Sequence, residues 1–203
     1  MDLKIKHPGN MQQRSVLTRE KLINAALDCV SELGYKGATM DAIVARAGVS
    51  RGAQVHHFPT KLGLISEAFE LMLDAFVSDL RERVDAIRSN AGQPNELFHY
   101  LWEVYFSGQL FSVTMELVVH AKTTPELQSI LNPITEKFHQ NIDDCWYLLL
   151  RGRNIDDKKV VMILNLTLSL LRGMGFQSVL WNRPDYFQEL LREWISIVED
   201  YLK

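Results

Sequence analysis

Residues 50–58 read S-R-G-A-Q-V-H-H-F, which places a guanidinium, a small flexible backbone point and two adjacent imidazoles within one short segment. Groups of this kind serve metal ligation, acid–base chemistry or polar recognition of another molecule. Adjacent residues on a helix point about 100° apart, whereas helical ligand pairs prefer i,i+3 or i,i+4 spacing, so His56 and His57 do not read as a chelating pair. Two better-spaced pairs exist, His99/Glu103 and Glu116/His120, but no further His or Cys spacing completes a metal shell around either. They read as structural ion pairs or pocket polar groups. The chain has no G-x-S-x-G elbow, no glycine-rich phosphate loop and no H-E-x-x-H. Neither catalysis nor a metal or cofactor is expected, and recognition of another molecule remains.

The bulk properties fit that reading. The 203 residues are 47% apolar and 23% charged, the balance of a soluble globular protein with room for one large domain or two small ones. Cys29 and Cys145 lie in apolar-patterned segments and read as buried free thiols of a reducing cytosol. The first fifteen residues hold no apolar block, so no signal peptide is expected. The charge-free apolar stretch 160–171 is 12 residues long, short of the ~20 that cross a bilayer, and reads as a buried helix. A cytoplasmic protein without membrane contact is expected. Residues 1–61 carry nine Lys/Arg against five Asp/Glu, while the remaining 142 carry thirteen against twenty. A basic head on an acidic body points the head at an anionic partner.

The elements that position these residues are helical throughout, so the expected class is all-α. Residues 1–16 read as a loose polar tail. Thr18 is an N-cap candidate for a first helix, with Leu22, Ala25, Ala26, Cys29 and Leu33 on one face and Gly34 as its stop. Thr39 caps a short second helix whose apolar side is Met40, Ile43, Val44 and Ala47. Gly48-Val49-Ser50 then gives a residue free to take positive φ, an apolar plug and another N-cap. A third short helix covers Arg51 to about His57, Pro59 breaks it, and Thr60 caps a long fourth helix to about Ser89. Later helices are expected near 94–107, 109–122, 124–151, 156–180 and 184–202, marked mainly by Gly92-Gln93-Pro94, Pro125, Gly152 and Pro184.

Two short helices joined by A-G-V-S form a helix-turn-helix pattern, whose second helix is too polar at Arg51, Gln54, His56 and His57 to serve packing alone. The run T-M-D-A-I-V-A-R-A-G-V-S-R-G-A-Q-V-H-H-F-P-T-K-L-G-L (39–64), preceded by T-R-E-K-L-I-N-A-A (18–26), resembles the DNA-binding domain of the TetR (tetracycline-repressor-like) family of transcription regulators. The resemblance implies a helix-turn-helix head over 17–61 and a helical effector-binding and dimerisation body over 62–203. It implies DNA contacts from Thr39, Ser50, Arg51, Gly52, Ala53, Gln54, Val55, His56, His57 and Lys61. Within that set, Thr39, His57 and Lys61 meet phosphate, while Arg51, Gly52 and Ala53 lead toward base edges. Phe58 anchors the helix in the core. The chain departs from the family habit at Gln54-Val55, where Leu-Tyr is usual. Val55 cannot supply the tyrosine's phosphate bond, and Gln54 either makes a polar contact or folds against the core edge.

In the resembled family the aromatic-rich middle encloses an apolar effector, which points to Phe69, Met72, Phe76, His99, Trp102, Tyr105, Phe106 and Met115 as pocket candidates. The last two helices carry heptad-like apolar spacing and the small pair Gly173 and Gly175, which permits close helix approach. Leu164, Leu168, Leu171, Phe187, Leu191, Trp194 and Val198 are the expected dimer seam. The reading is a homodimeric, ligand-responsive regulator, most simply a repressor, that binds a palindromic DNA operator and is released by a small, largely apolar effector. The competing class is an all-α small-molecule-binding protein or enzyme that retains the head.

Overall fold

The structure, a computed structural model, describes residues 8–89, 94–150 and 156–201. Among them every regular element is helical: α1 (Pro8–Gly37), α2 (Met40–Ala47), α3 (Arg51–His57), α4 (Lys61–Arg88), α5 (Pro94–Tyr100), a π-helical turn (Leu101–Phe106), α6 (Gln109–Ala121), α7 (Pro125–Leu150), α8 (Asp157–Leu180) and α9 (Pro184–Tyr201). The Gly92, Gln93 and Gly152 markers lie outside the described residues.

Helix α1 starts ten residues before the expected cap. Thr18 is an interior residue whose hydroxyl donates to the Arg14 carbonyl at 2.8 Å. A hydroxyl that can bond back one turn is no proof of a cap. Gly34 behaves as expected of a stop: φ of 72° and ψ of 167° kink the chain before a last short turn to Gly37.

The chain packs as two units. One comprises the residues up to Leu71 together with Val113–Leu131. Its core takes Leu22, Ala26, Cys29 and Val30 from α1, Ile43 from α2, Phe58, and Leu64, Ala68 and Phe69 from α4. Leu33, expected on the buried face, is exposed and Val30 is buried instead. A salt bridge fastens α2 to α1: Arg46 Nη1 donates to Glu32 Oε1 at 2.7 Å, a second bond joins Nη2 to Oε2, and Asp28 lies 4.0 Å from Nη1.

The second unit comprises Met72–Ser112 and Asn132–Lys203. Its core is aromatic: Phe76 of α4, Trp102, Tyr105 and Phe106 of the π-turn, Phe138 and Trp146 of α7, and Phe187 of α9. The π-turn closes with the Ser107 N–H donating to the Trp102 carbonyl at 3.0 Å, a five-residue step. Gly108 permits this closure, since a Cβ there would sit 2.8 Å from the Val104 carbonyl oxygen. Helix α8 lies against the same turn at Gly175, where a Cβ would meet the Phe106 carbonyl oxygen at 2.7 Å and the Phe111 ring at 3.1 Å. Both cysteines are free and buried.

Alanine at position 175 should therefore cost about 1–3 kcal/mol through overpacking against backbone, read as a lower thermal midpoint. Alanine at 173, where nothing lies within 4 Å, should leave the fold intact. The bonds from Arg46 hold the Glu32 carboxyl below its ordinary pKa of 4.5. A depressed folded pKa means that this contribution is complete above about pH 4.5 and lost as pH falls through the lower folded value. Glu32→Gln should flatten stability against pH below about 4.5 relative to the parent, which chemical denaturation at stepped pH would read.

Candidate nucleic-acid interface and small-molecule cleft

The helix-turn-helix is held by local chemistry. Thr39 Oγ1 accepts from the Ala42 N–H at 3.2 Å, and Ser50 Oγ accepts from the Ala53 N–H at 3.2 Å, so each short helix has a filled N-cap. Between them Gly48 takes φ 63° and ψ 37°, the left-handed turn that the A-G-V-S run predicts. Phe58 is buried at the end of α3, with the Arg19 guanidinium 5.5 Å from its ring centroid.

These constraints leave one face of α3 outward. Arg51, Gly52, Val55 and His56 are exposed, Ala53 and His57 half-exposed, and nothing lies within 4 Å of where a Gly52 Cβ would be. The His56 and His57 rings meet edge-on with centroids 5.2 Å apart. Arg51 Nη2 lies 2.8 Å from Asp41 Oδ1, so the leading guanidinium is oriented by the first turn of α2. This is an exposed pair, worth little in stability. It is a geometric guide that a base edge could compete for.

Two expected contact residues are placed otherwise. Gln54 is 4% exposed, and its Nε2 donates to the Phe58 carbonyl at 2.5 Å. Its amide closes the C-terminus of α3 from within, so the polar side chain stands where the family keeps leucine because its polarity is spent locally. Lys61 is half-buried. Its ammonium donates to the Tyr35 carbonyl and sits 4.3 Å from the centroid of the Tyr35 ring, and burial lowers its pKa. A phosphate contact would require it to leave that seat.

One of the two i,i+4 pairs, Glu116 and His120, packs around the same tyrosine. Glu116 Oε2 of α6 accepts from the Tyr35 N–H at 3.0 Å, beside the Gly34 kink, and lies 3.7 Å from His120 Nδ1. The His120 and Tyr35 rings pack with centroids 5.2 Å apart. The i,i+4 spacing of Glu116 and His120 was visible, but their partner 81 residues away was not.

Of the expected effector-pocket residues, Phe76 and Tyr105 line one cleft in the second unit, with Leu80, Leu101, Phe138, His139, Ile142, Trp146, Leu168 and Arg172. Trp102 and Phe106 are buried beside other partners, with Trp102 against Phe187 and Phe106 against Phe111. His99 and Met72 are half-exposed and do not line the cleft. Phe69 and Met115 belong to the other unit. The gap amounts to about 300 Å³ counting the part open to solvent, and admits little more than a water molecule. Tyr105 and Phe138 stack across it at 5.9 Å, with Phe76 4.8 Å from Tyr105. Burial raises the Tyr105 phenol pKa, while the charge of the Arg172 guanidinium opposes that rise.

The expected seam is corrected as well. Leu164, Leu171, Phe187, Leu191 and Val198 are buried within the chain, Leu168 lines the cleft, and the Trp194 Nε1–H donates to Thr167 Oγ1 at 3.0 Å. They hold α8 and α9 in their own subunit. The outward stripe of α8 is Met162, Leu166, Gly173, Phe176 and Leu180, with Ile197 and Tyr201 exposed on α9.

Glu116→Ala removes an acceptor from a half-buried backbone N–H at a kink. It should cost about 1–3 kcal/mol and raise hydrogen exchange at Tyr35 specifically, measurable by mass spectrometry.

Residues 22–68 match the family described as bacterial regulatory proteins, tetR family. Along 188 residues, 93% of this chain and 92% of the relative, the sequence is 29% identical to the HTH-type transcriptional regulator CymR of Pseudomonas putida. The fold is that of a TetR-family transcriptional regulator of Mesorhizobium loti, with a TM-score of 0.73, 22% identity, and 93% and 96% of the two chains covered. It is also that of the multidrug binding protein EbrR solved with ethidium, with a TM-score of 0.58, 23% identity, and 87% and 97% covered. A capped helix-turn-helix with an exposed leading face, within the tetR-family match over residues 22–68 and in a chain similar over nine-tenths of its length to an HTH-type regulator, makes this a DNA-binding transcriptional regulator of TetR-like fold, not an enzyme.

Proposed function

We propose that the protein is a cytoplasmic homodimeric repressor that holds a palindromic operator with two α3 helices and is released by a small, largely apolar effector bound in the second unit. The observation that carries the reading is the outward presentation of Arg51, Gly52 and Ala53 at the capped start of α3. The N-terminal end of such a helix enters the major groove, where a guanidinium can grip a guanine through two acceptors. Thr39 and Ser50 beside that end and His56 and His57 further along α3 supply phosphate contacts, with Lys61 joining them on leaving Tyr35, while Val55 offers an apolar contact alone.

Dimerisation is supported by the α8 stripe. Phe176 is 58% exposed and Leu180 is 88% exposed, and Gly173, one turn before Phe176, leaves room for close approach of a second helix. A two-fold four-helix contact of α8 and α9 covers that surface economically. Helix α8 is also long and apolar enough to cross a membrane by length and composition alone. Its other side, however, is committed to the subunit through Leu164, Thr167 and Leu171, and Arg172 borders the cleft. An interface with a second copy accounts for both sides.

The effector acts by linkage. Two recognition helices must sit about 34–36 Å apart to reach successive major grooves. A ligand that binds better to another spacing shifts the population from DNA by its differential affinity. A small-molecule site in this fold is supported by EbrR, solved with ethidium.

Fluorescence anisotropy on an operator selected from random duplexes tests the interface. Arg51→Ala should weaken binding by roughly tenfold or more and relax base preference at one position, while Gln54→Leu should leave base preference unaltered. Undiminished binding by Arg51→Ala would overturn the α3 assignment. In sedimentation velocity, Phe176→Glu should shift dimer toward monomer with helical content intact, and a persistent dimer would place the interface elsewhere.

A further inference from the structure

The cleft between Phe76, Tyr105, Phe138 and Trp146 carries more information than its apolar walls. Flat rings line it, and the stacked pair Tyr105 and Phe138 differ by only 9° in plane, a geometry that suits a planar ring slid between or against them. Its polar groups are few. Arg172 brings a permanent cation to the lining, and among the described residues its neighbours there are the Tyr105 phenol and the His139 imidazole rather than a carboxylate. His139 Nδ1 lies 2.7 Å from the Thr135 carbonyl, so that nitrogen carries the proton and Nε2 faces Arg172 Nη2 at 3.5 Å as an acceptor. An imidazole, unlike a carboxylate, does not neutralise the arginine. Trp146 completes the set: it is 1% exposed, and its buried indole N–H has no hydrogen-bond partner among the described residues. A buried donor left unpaired in a cleft is a place where a ligand oxygen gains on binding what the protein alone does not supply.

One cation, one orphan donor and a phenol among aromatic walls match a ligand with a flat apolar body and a single negative charge. From this we infer that the effector is an aromatic or arylalkyl carboxylate, its carboxylate on Arg172 and within reach of the Trp146 N–H, its ring against Phe76, Tyr105 and Phe138. Phosphorylated ligands are disfavoured, because a doubly charged group would face one guanidinium and an otherwise apolar lining. A cation would face Arg172 directly. The inference rests on the effector-site reading above and names its chemistry.

The cleft as it stands is too narrow for a ring, so binding must move a wall. Tyr105 and Leu101 belong to the π-turn, whose backbone closes by the five-residue bond to Trp102 rather than a regular helical ladder. Single π-turns of this kind recur at functional sites. On this reading the wall that yields is that turn.

Isothermal titration of the full chain without DNA decides the matter, using benzoate, 3-phenylpropionate and 2-naphthoate, each beside its neutral amide. At least one acid should bind, with its amide at least tenfold weaker. Arg172→Gln should erase the acid–amide difference. Trp146→Phe, which keeps an apolar ring but removes the N–H, should weaken the acid several-fold while sparing the amide. Absence of binding by all three acids, equal binding of acid and amide by the parent protein, or an acid preference that survives Arg172→Gln would each overturn the inference. The parent comparison stands even if a variant fails to fold. Operator binding is read separately: release of operator by a neutral or cationic compound, with no acid bound, overturns the carboxylate and leaves the regulator standing. Loss of all operator affinity sinks the regulator reading, while the acid titration still gives its own answer.

Discussion

Helices α2 and α3, of eight and seven residues, are too short to persist on their own in water, where isolated helices below about twelve residues are marginal. Everything that the first unit can do on DNA depends on how that deficit is met. Thr39 and Ser50 satisfy donors at the two N-termini, Gly48 turns the chain in the left-handed region, and Gln54 and Phe58 close the far end of α3. Packing of Ile43 and Phe58 against the α1 and α4 core does the rest. The outward residues of α3 are consequently those that none of these tasks claims: Arg51, Gly52, Val55 and His56.

The same economy accounts for the chain's legibility. Caps and breakers act within four residues, so Thr39, Gly48, Ser50, Thr60 and Pro184 mark element ends from sequence to within one or two positions. Thr18 misleads because a helix can pass through a good cap residue when upstream residues continue it. The π-turn was invisible, since its cause is the closure of Ser107 on Trp102 together with α8 pressed on Phe106 at Gly175. Periodicity alone reads Leu101 to Phe106 as ordinary helix. Lys61 and Glu116 were legible as charges, but their common partner Tyr35 is distant in sequence.

Helix α8 gives the sharpest instance of pattern without direction. Leu164, Leu168 and Leu171 repeat with nearly the same spacing as Met162, Leu166, Ser169 and Gly173. A helix apolar on every side announces that neighbours are needed all round, but not which stripe faces which neighbour. The two glycines illustrate the same ambiguity. Gly175 is occupied by Phe106 and Phe111 of its own subunit, whereas Gly173 meets nothing within 4 Å.

The polar groups of the second unit sort by whether the fold has already used them. Trp194 is satisfied by Thr167, whose own hydroxyl donates to the Ile163 carbonyl, so that buried chain is closed and structural. Tyr100 is tied to Asp79, with the Arg83 guanidinium 3.8 Å from its ring centroid, so its phenol is likewise committed. Trp146 is buried more deeply than either, and its N–H has no partner among the described residues. Buried donors are rarely left unpaired in a core whose only purpose is stability. The contrast between two indoles in one unit, one closed and one open, is what separates the cleft lining from the packing around it.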